Sequence, residues 1–161
     1  MRRAFAILGS GIFLVLAPGT VAGLVPWWIS GWRFEFHSLP MEIAGALLIA
    51  LGAVVLLDSF IRFAMKGLGT PAPVFPTKHL VVTGLYRYVR NPMYVAVAAL
   101  IFGQALIFAN LRLFEYGALI WLAFHLFVIC YEEPTLRASF GAEYEAFCHA
   151  VSRWIPRLHP Y

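Results

Sequence analysis

Four long apolar runs constrain this chain more than any other feature of its sequence. They cover approximately residues 4–25, 41–63, 92–109 and 114–131 and carry almost no charge. A helix needs roughly 20 apolar residues to cross about 30 Å of hydrocarbon. We therefore predict an all-α, multi-pass membrane protein with about four transmembrane helices.

The composition excludes other broad classes. Of the 161 residues, 61% are hydrophobic and 12% are charged, whereas a soluble domain has about 25% charged residues. No basic face indicates a nucleic-acid partner, and two cysteines are too few for a disulfide framework or a zinc site. We expect a single domain over residues 1–161, the lipid bilayer as its partner and no metal. The oligomeric state stays open.

The distribution of Lys and Arg predicts the orientation. Ten of the 12 basic residues lie on one side of the predicted helices, and only Arg33 and Arg112 lie on the other. Because basic loops tend to stay in the cytoplasm, both termini are predicted to be cytoplasmic. The alternative for the first run is a cleavable signal peptide. Its length and the tryptophans that follow it favour a membrane helix.

The tail after the fourth run has a different pattern. Apolar residues recur there at spacings of three and four, namely Leu136, Phe140, Tyr144, Phe147 and Val151. This period predicts an amphipathic C-terminal interfacial helix over about residues 135–151. The alternative is a helix that packs its apolar face within the protein.

Three polar residues inside the runs have simple structural explanations. Asp58 lies four residues before Arg62, a spacing that predicts a local ion pair. Gln104 and His125 fall on consecutive helices, where interhelical hydrogen bonds would satisfy them. We therefore assign no chemistry to these residues.

The adjacent carboxylates Glu132 and Glu133 are harder to explain structurally. They end the fourth run, and Pro134 directly after them predicts that the helix stops or bends. Acidic residues at a helix C-terminus oppose the macrodipole, so the pair indicates a site that uses negative charge. The alternative is two solvated acids, with Arg137 as a partner.

The third run begins with the residues that favour a helix start. Asn91 is a preferred N-cap and Pro92 is preferred at the first helical position. The free N–H groups of such an N-terminus bind anions, and Arg87 and Arg90 lie beside it. Since the third and fourth runs form an antiparallel hairpin, this start and the glutamate pair should meet at one cytoplasmic pocket. S-adenosylmethionine is one small ligand whose charges suit it.

The second half of the chain resembles a known family. The matching stretches are Lys78 to Tyr94 (KHLVVTGLYRYVRNPMY), Tyr131 to Pro134 (YEEP), Phe140 to Tyr144 and Arg153 to Pro156 (RWIP), in that order. Together they resemble the integral-membrane methyltransferases, which include isoprenylcysteine carboxyl methyltransferases and phospholipid N-methyltransferases. The first two helices add only hydrophobicity to the resemblance.

The resemblance implies S-adenosylmethionine as the cofactor and methyl transfer as the activity. The acceptor would be a lipid, a lipidated molecule or a small hydrophobic molecule at the cytoplasmic membrane face. The residues implied to bind the cofactor are Lys78, His79, Leu80, Val81, Tyr86, Asn91, Pro92, Met93, Tyr94, Glu132 and Glu133. No catalytic side chain is implied.

Two departures from the isoprenylcysteine enzymes bear on the acceptor. Those enzymes have a histidine where this chain has Asn91, and a substrate-binding arginine where it has Val128. Both departures argue against an isoprenylcysteine carboxylate and bring the chain closer to the phospholipid branch. Two alternatives to methyl transfer are a non-catalytic membrane assembly or binding subunit and a small channel or transporter.

Overall fold

A computed structural model describes residues 2–62, 80 and 82–161, with the backbone alone at residues 2–7 and 10. Regular structure in these ranges is entirely helical. The α-helices are α1 (Arg2–Leu16), α2 (Val25–Ser30), α3 (Leu39–Arg62), α4 (Pro92–Ile107), α5 (Leu111–Phe127), α6 (Glu133–Phe140) and α7 (Ala142–Ala150). Two π-helical turns, Thr20–Leu24 and Val128–Glu132, and a 3₁₀ turn, Gly84–Arg87, complete the described elements.

Three helical stretches within the described ranges are long and apolar enough to cross a membrane: Gly11–Ser30, Leu39–Arg62 and Leu111–Phe140. Helix α4 is also apolar but has 16 residues. At about 1.5 Å per residue it is roughly 24 Å long, which is shorter than the roughly 30 Å of hydrocarbon in a bilayer. The prediction of an all-α, multi-pass membrane protein is confirmed, with three full-length spans and one shorter helix.

Small residues bring α3 and α4 into close antiparallel contact. Gly45, near the start of α3, lies against the backbone of Gly103 near the end of α4. Gly52, two turns further along α3, lies against Ala96 near the start of α4. Close backbone approach of this kind is typical of helix pairs in membranes. It aligns α4 along α3, with the start of α4 toward the C-terminal end of α3.

Both π-helical turns end two residues before a proline. Pro26 and Pro134 lack the N–H that would bond the carbonyls of Ala22 and Cys130, four residues earlier. The Ala22 carbonyl instead accepts a hydrogen bond of 2.7 Å from Gln104 Nε2. This contact confirms the predicted interhelical role of Gln104. It also gives a polar group freed by proline a partner inside the membrane.

Pro134 does not stop the last membrane helix. The chain stays helical from Leu111 to Phe140, and the π-helical turn Val128–Glu132 is its local distortion. The Glu133 N–H bonds the Val128 carbonyl, five residues earlier, and this wider turn accommodates the proline that follows.

The predicted single helix over residues 135–151 is wrong. The chain forms α6 and α7, which are separated at Gly141 by a backbone with φ 50° and ψ −124°. Such a positive φ interrupts a helix and favours glycine. Tyr144 and Phe147 are buried, and Leu136 packs against them. The apolar face therefore packs within the protein, which was the alternative interpretation.

The last ten residues, 152–161, form an irregular C-terminal arm that is hydrogen-bonded to the segment before α4. The Arg90 N–H donates to the Ser152 carbonyl at 3.0 Å, and the Arg157 N–H donates to the Tyr88 carbonyl at 2.9 Å. These backbone bonds bring the end of the chain to the start of α4.

Candidate active site

The start of α4 and the end of the π-helical turn meet through one hydrogen bond. The Tyr94 hydroxyl donates to Glu132 Oε2 at 2.8 Å. The Tyr94 ring also packs against Phe124, with ring centroids 4.8 Å apart. These contacts confirm that the Asn91-Pro92 motif and the glutamate pair lie at the same end of the helical hairpin.

Glu133 lies at the centre of an arginine cluster. Its side chain is only 4% exposed and accepts two hydrogen bonds from Arg153, at 2.6 and 3.0 Å. Arg90 lies 3.3 Å away and Arg137 lies 3.6 Å away. A buried carboxylate needs such partners, because an unpaired buried charge costs several kcal/mol. Glu133 is therefore held by the protein itself and is not solvated, and Arg137, the partner named in the alternative interpretation, is one of its three arginines.

Asn91 occupies the N-cap position of α4, and Pro92 is the first helical residue, as predicted. The capping hydrogen bond that Asn91 was expected to make is absent. Its Nδ2 instead donates to the Arg153 carbonyl at 3.2 Å. The Asn91 side chain thus bonds to the C-terminal arm, and it does not cap the first turn of α4.

Tyr86 lies in the 3₁₀ turn and is 7% exposed. Burial raises the pKa of Tyr86 above its usual range, and a hydrogen bond with Ser59 opposes that shift only partly. The carboxylates of Glu132 and Asp58 raise the pKa further. Tyr86 therefore remains protonated at physiological pH, and its hydroxyl lies within electrostatic reach of Glu132.

The end of α3 packs against this turn. Arg62 Nε lies 2.7 Å from Asp58 Oδ2, which confirms the predicted local ion pair. The Arg62 guanidinium fills the space where a side chain at Gly84 would begin, and Gly84 has a φ of +58°. Glycine therefore suits this position both sterically and conformationally.

Two buried polar atoms near the site have no hydrogen-bond partner among the described residues. They are Thr83 Oγ1 and Arg90 Nε. Buried polar groups are almost always paired in folded proteins. Atoms of this kind therefore indicate where a polar group from outside the described residues would bind.

The other residues implied by the resemblance differ in their positions. Met93 packs against the main core between the membrane helices, whereas Leu80 packs against the cluster around Tyr144. Lys78, His79 and Val81 lie outside the described residues. Of the described residues implied to bind the cofactor, Tyr86, Tyr94 and Glu132 lie close together, and Asn91 and Glu133 lie beside them.

Sequence reasoning assigned no role to the C-terminal arm. Trp154 Nε1 donates to His125 Nδ1 at 3.1 Å, and the Trp154 ring packs against Trp121 with centroids 4.6 Å apart. His125 thus has its expected hydrogen bond, but the partner comes from the arm. The arm shows no periodicity, and only the RWIP stretch in the resemblance indicated that it matters.

Across the part of the chain that the structure describes, no group of three or more His, Cys, Asp or Glu side chains could hold a metal ion. The available chemistry consists of carboxylates, guanidinium groups, tyrosine hydroxyls and the N-terminus of α4. Such groups recognise a small polar ligand.

Comparison with known proteins identifies the family. The family model of phospholipid methyltransferases matches residues 41–143, which is more than half of the chain. The chain belongs to the phospholipid methyltransferase family. No curated protein and no solved structure gives a significant match. Membership implies methyltransferase activity on lipid substrates in membranes.

The range that matches the phospholipid methyltransferase family contains all but the first two residues of α3, together with α4, α5, α6 and the glutamate pair. It ends at residue 143, so the C-terminal arm lies beyond it. The arm nevertheless contacts Asn91 and Glu133, both of which lie inside the matched range.

Proposed function

We propose that the protein transfers a methyl group from S-adenosylmethionine to a lipid acceptor at the cytoplasmic membrane face. The observation that supports this most directly is the Tyr94–Glu132 hydrogen bond of 2.8 Å. It joins the start of α4, which the Asn91 side chain does not cap, to a carboxylate outside the arginine cluster, within the range that matches the phospholipid methyltransferase family.

The described residues fit this cofactor chemically. The hydroxyl and amino groups of S-adenosylmethionine donate hydrogen bonds, and a carboxylate such as Glu132 accepts them. It also has a carboxylate, which suits helix N–H groups and cations. The first turn of α4 offers N–H groups without an Asn91 cap, and the buried Arg90 Nε is a donor with no partner among the described residues.

The protein's contribution to the reaction is mainly positioning. The cofactor, when bound, supplies an electrophilic methyl group on a sulfonium, so no side-chain nucleophile is needed. Glu132 and the start of α4 would hold the cofactor from two sides, and Phe124 borders them with an apolar ring. Alignment of this kind removes about 7–11 kcal/mol from the barrier of a well-oriented reaction.

The position of Val128 supports a lipid acceptor other than an isoprenylcysteine carboxylate. The resemblance places a substrate-binding arginine at this position in the isoprenylcysteine enzymes. Val128 is 1% exposed at the start of the π-helical turn. It offers no charge to a carboxylate. Apolar faces on the membrane helices would let the acceptor approach from the bilayer.

Substitutions of the two glutamates test the proposed cofactor site. Glu132→Gln should weaken S-adenosylhomocysteine binding by roughly 10- to 100-fold, because a hydrogen bond to a charged group contributes about 1.5–3 kcal/mol. Glu133→Gln should lower thermal stability instead, because it removes the charge that balances three arginines. We would measure affinity by calorimetry and stability by thermal unfolding, both on detergent-purified protein.

A folded wild-type protein that binds neither S-adenosylmethionine nor S-adenosylhomocysteine would overturn the proposal in favour of a non-catalytic assembly subunit. If binding is found, radiolabelled methyl transfer into lipid extracts would identify the acceptor class. Incorporation into phospholipid is the expected result.

A further inference from the structure

We propose that Arg153, in the C-terminal arm, is a positioning residue for the candidate active site. It holds Glu133 in the arginine cluster and the Asn91 side chain away from the start of α4. This inference rests on the proposed function, and it assigns a role to a residue outside the range that matches the family.

Arg153 contacts both motifs that the sequence singled out. Its guanidinium donates from Nε and Nη2 to the two oxygens of Glu133, at 2.6 and 3.0 Å. Its carbonyl accepts a hydrogen bond from Asn91 Nδ2 at 3.2 Å. A two-point guanidinium–carboxylate contact fixes orientation as well as distance. One residue therefore links the end of the π-helical turn to the start of α4.

These contacts assign different roles to the two glutamates. Glu133 is saturated by guanidinium groups, whereas Glu132 bonds to Tyr94. If Arg153 released Glu133, the buried carboxylate would have to reorganise beside the cofactor-binding group. The contact thus keeps Glu132 as the carboxylate that the proposed site uses.

The contact to Asn91 acts on the other side of the site. An asparagine at the N-cap normally accepts from an N–H in the first helical turn. Asn91 makes no such bond, because its side chain is turned toward Arg153. The first-turn N–H groups of this 16-residue helix are therefore not used by the Asn91 side chain.

The arm fixes Arg153 from both neighbouring residues. The Ser152 carbonyl accepts from the Arg90 N–H at 3.0 Å. On the other side, the Trp154 indole donates to His125. Ordering a long side chain costs conformational entropy, and these two anchors reduce that cost for Arg153. Its guanidinium is preorganised toward Glu133.

The cluster itself supplies a matched control. Arg137 also pairs with Glu133, but at 3.6 Å, from a side chain that is 45% exposed and that also pairs with Glu145. It has neither the two-point contact nor the bond to Asn91. Removing either arginine leaves two guanidinium groups for Glu133, so charge balance alone predicts similar effects for the two variants. If Arg153 positions the site, Arg153→Gln should have the larger effect on cofactor affinity.

The experiment compares Arg153→Gln, Arg153→Lys and Arg137→Gln in full-length, detergent-purified protein. Arg153→Gln should weaken S-adenosylhomocysteine affinity about tenfold, measured below all unfolding transitions. It should also speed amide hydrogen exchange over residues 88–94. Arg137→Gln should leave both quantities within twofold of wild type. Arg153→Lys should give intermediate values, because a lysine keeps the charge but loses the two-point contact.

Each outcome separates this inference from the proposed function. Wild-type binding together with unchanged affinity and exchange in Arg153→Gln overturns the inference and leaves the proposed function intact. Equal losses in Arg153→Gln and Arg137→Gln also overturn it, because charge balance would then explain both. A wild type that binds no S-adenosylhomocysteine overturns the proposed function and, with it, the inference. If Arg153→Gln does not fold, an Arg153→Lys affinity within twofold of wild type overturns the inference.

Discussion

Glu132 and Glu133 are adjacent in sequence and lie in different chemical surroundings. Consecutive helical residues point in directions about 100° apart, so neighbours on one helix face different partners. Glu132 bonds to Tyr94 on α4, and Glu133 is enclosed by arginines from three segments. At this scale a carboxylate's role follows from its partners more than from its residue type.

Tyr86 leads to a prediction about stability at alkaline pH. Burial raises the pKa of Tyr86 in the folded protein, while the unfolded chain has a tyrosine pKa of about 10. Its stabilising contribution is therefore complete below about pH 10 and is lost as the pH rises further. The stability advantage of wild type over Tyr86→Phe should shrink by up to about 1.4 kcal/mol per pH unit above about pH 10.

Thermal unfolding in detergent between about pH 8 and 11 measures this change, since both proteins are compared across the unfolded pKa of about 10. Tyr131→Phe, which removes a hydroxyl from an exposed side chain, is the control substitution. Parallel curves for wild type and Tyr86→Phe would show that Tyr86 ionises equally in the folded and unfolded states.

At the scale of elements, the close contact between α3 and α4 depends on glycines, which have no side chain. A Cβ on Gly45 would lie 2.5 Å from the Gly103 carbonyl oxygen and 2.7 Å from Ile107 Cγ1. The first of these atoms is backbone and cannot rotate away. Since the start of α4 belongs to the candidate site, this contact also fixes where the site lies along α3.

Gly45→Ala should therefore lower the stability of the protein. Overpacking of a close contact typically costs about 1–3 kcal/mol, which corresponds to a fall in Tm of roughly 2–12 °C at this chain length. Thermal unfolding of the detergent-purified variant measures it. Gly11→Ala is the matched control, because nothing lies within 4 Å of a Cβ built there. A Tm for Gly45→Ala equal to that of Gly11→Ala would contradict the proposed packing role.

At the scale of the whole molecule, the helices run back and forth. Gly45 meets Gly103, and Tyr94 meets Glu132, so α4 is antiparallel to both α3 and α5. The first span also runs opposite to α3, because Phe13 stacks on Phe60 while Val21, a little over two turns later, accepts from Tyr116. Helix α4 lies among the three longer spans, although it is the shortest of the four.

This arrangement and the basic residues lead to a prediction about topology. Reporter domains fused to the N-terminus and to the C-terminus should both lie in the cytoplasm, as the ten-to-two distribution of Lys and Arg indicates. Protease protection in sealed vesicles measures this. Termini on opposite sides would mean that α4 does not cross the bilayer. Loss of the N-terminal reporter by cleavage would favour the signal peptide.

Local features were predictable from the sequence alone. The apolar runs predicted membrane helices, Asn91-Pro92 marked the start of α4, and the spacing of Asp58 and Arg62 predicted their ion pair. The motif order indicated the methyltransferase family, which the family match confirms. Each of these features depends on residues close together in sequence, or on the order of short motifs along it.

Only the tertiary structure decided which carboxylate is saturated, where the Asn91 side chain points and what the C-terminal arm contacts. Arg153 lies 20 residues from Glu133, and Asn91 bonds to a residue 62 positions away. The break at Gly141 likewise follows the packing of Tyr144 and Phe147 against the body of the protein. Periodicity and helix capping act over a few residues. Ion pairs and packing between distant segments depend on the path of the folded chain.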